Sequence, residues 1–247
     1  LILCAFQNQL VFQVNLETLQ AGKAGQMRTV IFDLDGTLAD TSGDLIDAAN
    51  GCFRQMGAGD LLCPSGDAAT AMHGARAMLR LGLSRIGRAG DEAEVERQYP
   101  VFLDLYEAQL TRHSHLYDGA EQVVEDLKSA GYRVGVCTNK PARMARVLLI
   151  HFGVFEAFGA LVGADTLPVR KPDPEPLRET VRRAGGDPAQ SLLVGDTITD
   201  RKTASAAGVP SVLVTFSPAG RSVAALEPDA LIDHFDELPA RVQELIG

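Results

Sequence analysis

The chain has 247 residues, of which 46% are hydrophobic and 22% charged, with a formal net charge of −9. This length supports a sizeable core, and without low-complexity tracts the composition is that of a folded globular protein. The acidic balance argues against nucleic acid or an anionic membrane as general partner, but leaves room for a local cationic pocket for a small anion.

The opening stretch, LILCAFQNQLVFQVNLETLQ, has no initiator Met, no basic leader and no small-residue cleavage site, so it makes a poor signal peptide. Met27 directly precedes RTVIFDLDGT, and residues 1–26 are expected to be an extension outside the fold. No apolar stretch approaches the about 20 residues of a membrane helix. Cys4, Cys52, Cys63 and Cys137 form no CxxC pair and no zinc spacing. Scattered thiols of this kind fit a reducing, cytoplasmic setting. Cys137 lies in an apolar run and is expected to be a buried structural thiol.

Thr29–Asp33 is β-branched and apolar, the pattern of a buried strand. Asp44–Met56 has helical spacing, with Ile46 and Ala49 on the face of Phe53. Asp67–Leu81 and Glu92–Leu110 also read as helices, and no strand separates them, so residues 43–116 are expected to be an all-helical insertion. From residue 118 strand and helix alternate. Gly119–Ala130 reads as helix, Tyr132–Thr138 as strand, Pro141–Phe152 as helix, Ala160–Gly163 as a short strand and Pro174–Ala184 as helix. Ser191–Asp196 is the clearest later strand. It is followed by helix Thr199–Ala207, strands Val212–Phe216 and Ala230–Ile232, and a terminal helix Asp236–Ile246. This alternation predicts a parallel sheet covered on both faces, in which ligands bind beyond the carboxyl ends of the strands. Asp33, Thr138 and Asp196 then share one rim.

Asp33 and Asp35 end the first strand one residue apart. Two carboxylates that close repel each other, and each is costly to desolvate unless paired or bound to a metal. Alone they would read as a Gly-containing turn. Three later segments, CTNK at 137–140, RKPDP at 170–174 and GDTITD at 195–200, join DLDGT at 33–37. In order and spacing these four resemble the motifs of the haloacid dehalogenase-like phosphohydrolases, and MRTVIFDLDGTLADTS with TNKP looks most like their phosphoglycolate phosphatase branch. The likeness spans essentially all of residues 27–247. It implies an α/β fold: a Rossmann-like core from residues 27–42 and 117–247, with residues 43–116 as a helical cap.

The resemblance also implies roles. Asp33 would be the nucleophile that forms an aspartyl-phosphate, and Asp35 the general acid that then acts as base toward water. Mg²⁺, a hard ion suited to oxygen ligands, would be bound by Asp33 and Asp196 side chains and by the Asp35 carbonyl. Asp200 would act through a water or hold the metal shell. Thr138, Lys171 and the backbone N–H of Gly36 would hold phosphoryl oxygens, with Asn139 and Lys140 as further lining groups. MHGARAML at 72–79 resembles the substrate loop of related caps, where Arg76 is available for a second anion such as the carboxylate of phosphoglycolate. An exposed cap arginine is the plainer alternative. His113 and His115 are read as surface or hinge histidines, since no third metal ligand accompanies them. Relatives often carry Pro where this chain has Asp118, which bears on the hinge rather than on the catalytic set. The expected partner is a small phosphorylated metabolite, and the oligomeric state is open. Two rivals stand beside the phosphatase: a sugar-phosphate mutase using the same Asp33 and Asp35, and a non-catalytic binding protein.

Overall fold

The computed structural model describes residues 27–247, so the expectations for residues 1–26 and for Cys4 lie outside the described residues. The strands and helices, in chain order, are β1 (Thr29–Phe32), β2 (Ala39–Asp40), α1 (Ser42–Gln55), α2 (Pro64–Ala71), α3 (Ala75–Arg85), α4 (Glu92–Ala108) and β3 (His115–Leu116). There follow α5 (Ala120–Ser129), β4 (Arg133–Cys137), α6 (Ala142–His151), β5 (Ala160–Val162), α7 (Glu175–Arg183), β6 (Ser191–Gly195), α8 (Ile198–Ala207), β7 (Ser211–Val214), β8 (Ala230–Ile232) and α9 (Leu238–Ile246).

Six strands form one parallel sheet in the order β5-β4-β1-β6-β7-β8. β1 and β6 are buried along their whole length, as apolar strands of a parallel sheet must be when helices cover both faces. Because strand side chains alternate, Val30 and Phe32 join one core with α5, α6 and α9, and Ile31 joins a second with α7 and α8. Cys137 lies in that second core, fully buried, and burial pushes its thiol up to about 11. It is a packing residue, as expected.

Helices α1 to α4 follow one another between β2 and β3, and their apolar faces are continuous with the first core. Gly82 of α3 faces the Phe53 ring so closely that a Cβ there would lie 2.1 Å from it. The predicted helix over 67–81 is two helices, broken at Met72–Gly74, where Gly74 takes φ 87°. Only glycine adopts that backbone without strain, so the chain turns there and carries His73 and Arg76 toward the rim of the sheet. The pairing of β2 with β3 (Ala39 opposite Leu116, Asp40 opposite His115) was not expected, since two residues carry no readable alternation. Asp44, fully buried, accepts hydrogen bonds from the N–H groups of His113 and Ser114 at 2.8 and 3.0 Å and from the Ser114 hydroxyl at 2.6 Å. It ties the chain leaving the sheet to the chain returning. Among the described residues no helix is long and apolar enough to cross a membrane.

Candidate active site

β1, β4 and β6 are neighbours in the sheet, and Asp33, Thr138 and Asp196 are the residues following their carboxyl ends. The Asp33 N–H donates to the Val194 carbonyl at 2.9 Å and the Thr138 N–H to that of Val162 at 2.9 Å, so the sheet ladder itself aims both residues. The chain turns from one side of β1 to the other at this point, which is where such sheets open a crevice. Lys171 reaches the same rim from the loop after β5, one residue before Pro172, to which it is joined by a cis peptide.

The Lys171 ammonium is buried, 3.0 Å from Asp33 Oδ2 and 2.6 Å from Asp200 Oδ1. Burial alone would favour the neutral amine, but the two carboxylates outweigh it and hold Lys171 above the ordinary lysine range. Asp33 Oδ1 accepts the Leu34 N–H at 2.7 Å. Burial still pushes the Asp33 carboxyl up to about 7; Lys171 opposes the shift, and the charges of Asp200 and Asp35 add to it. Asp200 has its other oxygen filled by the Thr197 hydroxyl at 2.6 Å and the Thr197 N–H at 3.1 Å. It therefore caps α8 and orients Lys171 at once. Asn139, expected to touch substrate, donates its amide to the Lys171 carbonyl at 3.0 Å and braces that loop.

Asp196 is buried, and burial raises its carboxyl well above the usual range, with Asp200 and Asp33 adding to the shift. Its Oδ1 accepts the Thr37 hydroxyl at 3.2 Å, while Oδ2 is buried with no hydrogen-bond partner. A buried carboxylate oxygen without a donor is an unmet cost unless a cation meets it. Asp33, Asp196 and Asp200 each offer an oxygen within 4.8 Å of the others, a hard-donor set that fits a divalent ion such as Mg²⁺. Gly36 packs directly against this cluster with φ 78°, and a Cβ there would lie 2.3 Å from Asp196 Oδ2. Its N–H, expected to face the phosphoryl group, donates instead to the Ala39 carbonyl at 2.9 Å, so Gly36 contributes space rather than a donor in this structure. Should Asp196 hold a divalent ion, Gly36→Ala is expected to displace that carboxylate and weaken the ion's binding by about tenfold or more. A metal titration that superimposes on that of the unaltered protein would contradict this.

Asp35 accepts the Thr41 hydroxyl at 2.6 Å and both its oxygens receive the Lys140 ammonium, at 2.7 and 2.9 Å. Thr41 stands at the N-terminus of α1 yet spends its hydroxyl on Asp35, and Asp40 receives the Ser42 N–H in its place at 2.9 Å. Sequence reasoning named Lys140 only as a lining group; nothing in CTNK says which carboxylate its ammonium meets. Thr138 is buried, and its hydroxyl oxygen accepts the Lys140 N–H at 3.1 Å. Between this rim and the helical insertion lies a cavity of about 450 Å³, lined by Asp33, Asp35, Thr138, Asn139, Lys140 and Lys171 below and by Arg76, Tyr99 and Tyr106 above. Arg76 is already paired: Nε and Nη2 bind both oxygens of Glu96 at 2.6 and 2.9 Å, and the guanidinium stacks 3.6 Å from the Tyr99 ring centroid. His113 Nε2 lies 3.2 Å from Asp47 Oδ2 at the surface.

A family model described as haloacid dehalogenase-like hydrolase matches residues 30–214. Among curated proteins, the phosphoglycolate phosphatase of Mesorhizobium japonicum is 39% identical over 217 residues, 87% of this chain and 94% of that protein. That of Rhodospirillum rubrum is 40% identical over 219 residues, 85% and 89% of the two chains. Among solved structures, a predicted phosphoglycolate phosphatase from Haemophilus somnus superimposes with a TM-score of 0.73 at 26% identity, covering 88% of this chain and 99% of that one. The parallel sheet with its acidic rim and these likenesses agree: the chain belongs to the haloacid dehalogenase-like hydrolases, on their phosphoglycolate phosphatase-like branch.

Proposed function

We propose that this haloacid dehalogenase-like phosphatase hydrolyses a small phosphomonoester, 2-phosphoglycolate, through an aspartyl-phosphate on Asp33, with Mg²⁺ held by Asp33, Asp196 and the Asp35 carbonyl. The observation that carries the reading is Lys171, buried between Asp33 and Asp200 on the floor of a cavity sized for a small ligand. A fixed cation beside the attacking carboxylate meets the phosphoryl oxygens as their charge grows, and needs no rearrangement to do so. When bound, Mg²⁺ would neutralise part of the substrate's charge and keep Asp33 ionised, which burial opposes.

Asp33 attacks phosphorus and the ester P–O bond breaks. Asp35 gives its proton to the leaving alkoxide, then takes one from the water that attacks the acyl phosphate, releasing inorganic phosphate and restoring Asp33. Thr138, whose hydroxyl hydrogen remains free to donate, and Lys171 hold the phosphoryl oxygens. The helical insertion acts as the cap that keeps bulk water from the acyl phosphate.

The choice of phosphoglycolate rests on the relatives' names and on Arg76. With Nε and Nη2 on Glu96 and the plane fixed by Tyr99, the Nη1 end of the guanidinium is left for a substrate carboxylate. Phosphate release from 2-phosphoglycolate, sugar phosphates and nucleotides, with and without Mg²⁺, tests the reading. A metal-dependent kcat/KM highest for 2-phosphoglycolate is expected. Isomer formation from a sugar phosphate would indicate a mutase, and inertness across the panel a binding protein. Arg76→Ala is expected to raise KM for 2-phosphoglycolate about tenfold while sparing an uncharged aryl phosphate ester, since one charged hydrogen-bonding contact is lost. Equal losses on both would remove Arg76 from substrate recognition.

A further inference from the structure

Lys140 is a second buried lysine that the mechanism above leaves without a task. Its side chain is 2% exposed, and its ammonium spans both oxygens of Asp35 at 2.7 and 2.9 Å. On its other side lies the ring of Tyr106, whose centroid is 4.6 Å from Nζ. Tyr106 belongs to α4 of the helical insertion, whereas Lys140 immediately precedes the turn into α6 of the sheet-bearing part. The core lysine is thus packed between the acid/base carboxylate and an aromatic face supplied by the insertion. The Tyr106 ring is itself held, stacked on Phe102 with centroids 5.8 Å apart, and its hydroxyl is buried without a hydrogen-bond partner. The Lys140 ammonium lies over the face of that ring. The next residue along, Glu107, faces Arg143 of α6 at the surface.

From this arrangement we propose that Lys140 and Tyr106 are positioning residues that make the orientation of Asp35 depend on how the helical insertion is seated. A carboxylate held by one hydroxyl, that of Thr41, keeps rotational freedom about its side-chain bonds; a cation bridging both oxygens removes it. An ammonium excluded from water is in turn held in place by the face of an aromatic ring. Withdrawal of α4 would remove that face, admit water to Lys140 and loosen Asp35. Asp35 would then be aligned for proton transfer only while the insertion covers the cavity. This inference rests on the reading of Asp35 as acid and base. Neither Lys140 nor Tyr106 is assigned a contact with substrate.

The test is a double-mutant cycle with Lys140→Met and Tyr106→Leu, read in steady state on 2-phosphoglycolate and in single turnover on 2-phosphoglycolate and p-nitrophenyl phosphate. Lys140→Met is expected to lower kcat about 30-fold or more and Tyr106→Leu about fivefold, each with KM within about threefold of the unaltered protein. The double variant should be no slower than Lys140→Met alone, because the ring acts through the lysine. In single turnover the loss should be larger on 2-phosphoglycolate, whose alkoxide must be protonated, than on p-nitrophenyl phosphate, whose leaving group needs no proton. Lys140→Arg should recover part of the rate. Multiplicative losses, a rise in KM without a fall in kcat, or equal losses on both esters would each overturn the proposal. If Lys140→Met does not fold, the leaving-group difference in Tyr106→Leu decides it alone. Failure of the unaltered protein to turn over any ester would instead refute the phosphatase reading beneath it.

Discussion

Asp33→Asn is expected to reduce turnover by about 10⁴-fold or more, because the amide keeps the shape of the side chain and loses the proposed nucleophile. The same change should not weaken the metal-free fold. Burial pushes the Asp33 carboxyl from 3.8 to about 7, so the folded state binds its proton more tightly than the unfolded chain does. A group shifted in that direction lowers stability as pH rises from about 4 to about 7, and its full cost is present above that window. The amide side chain of the variant stays neutral throughout and lacks this penalty. Melting temperatures of the two metal-free proteins should therefore diverge in favour of the variant between pH 5 and pH 8. Turnover within about tenfold of the unaltered protein would remove Asp33 as nucleophile. A melting temperature that falls sharply at pH 8 would show that its pairing with Lys171 outweighs its desolvation.

Lys171→Met should be damaging in both respects. Loss of the buried cation removes an electrostatic group worth about 10²–10³ in rate. It also leaves Asp33 and Asp200 facing each other without a counter-charge, and removing one partner of a buried pair costs about 3–5 kcal/mol. The pH dependence carries the diagnosis. Without Lys171 the Asp33 carboxyl loses the charge that opposes its upward shift, so the destabilisation is greatest at pH 8 and shrinks toward pH 5 as Asp33 takes up a proton. Thermal melts at the two pH values, compared with the unaltered protein, measure this directly. An equal loss at both would assign Lys171 a packing role only.

Much of the architecture was legible along the chain. The apolar runs ending at Asp33, Thr138 and Asp196 alternate with amphipathic helices, and that alternation implies a doubly covered parallel sheet whose strand ends share a rim. The break in the helix over 67–81 was harder to see. Apolar spacing continues across Met72–Gly74, and only the left-handed backbone of Gly74 shows that the direction changes. The paired segments at Ala39–Asp40 and His115–Leu116 left no trace, since each is stabilised by a partner far along the chain rather than by its own pattern.

Residue order was enough to place Asp33, Thr138 and Asp196 on one rim, and the resemblance of the four motifs added Asp35, Asp200 and Lys171 to them. Strand periodicity dictates which residues end a strand, and parallel pairing brings those ends together. Which charge faces which emerged from the folded arrangement alone. Lys171 meets Asp33 and Asp200, Lys140 meets Asp35 beneath Tyr106, Arg76 turns to Glu96, and the Gly36 amide goes to Ala39. Ion pairs and desolvation depend on distances through space and on what covers a group, and neither is written in the order of residues along the chain.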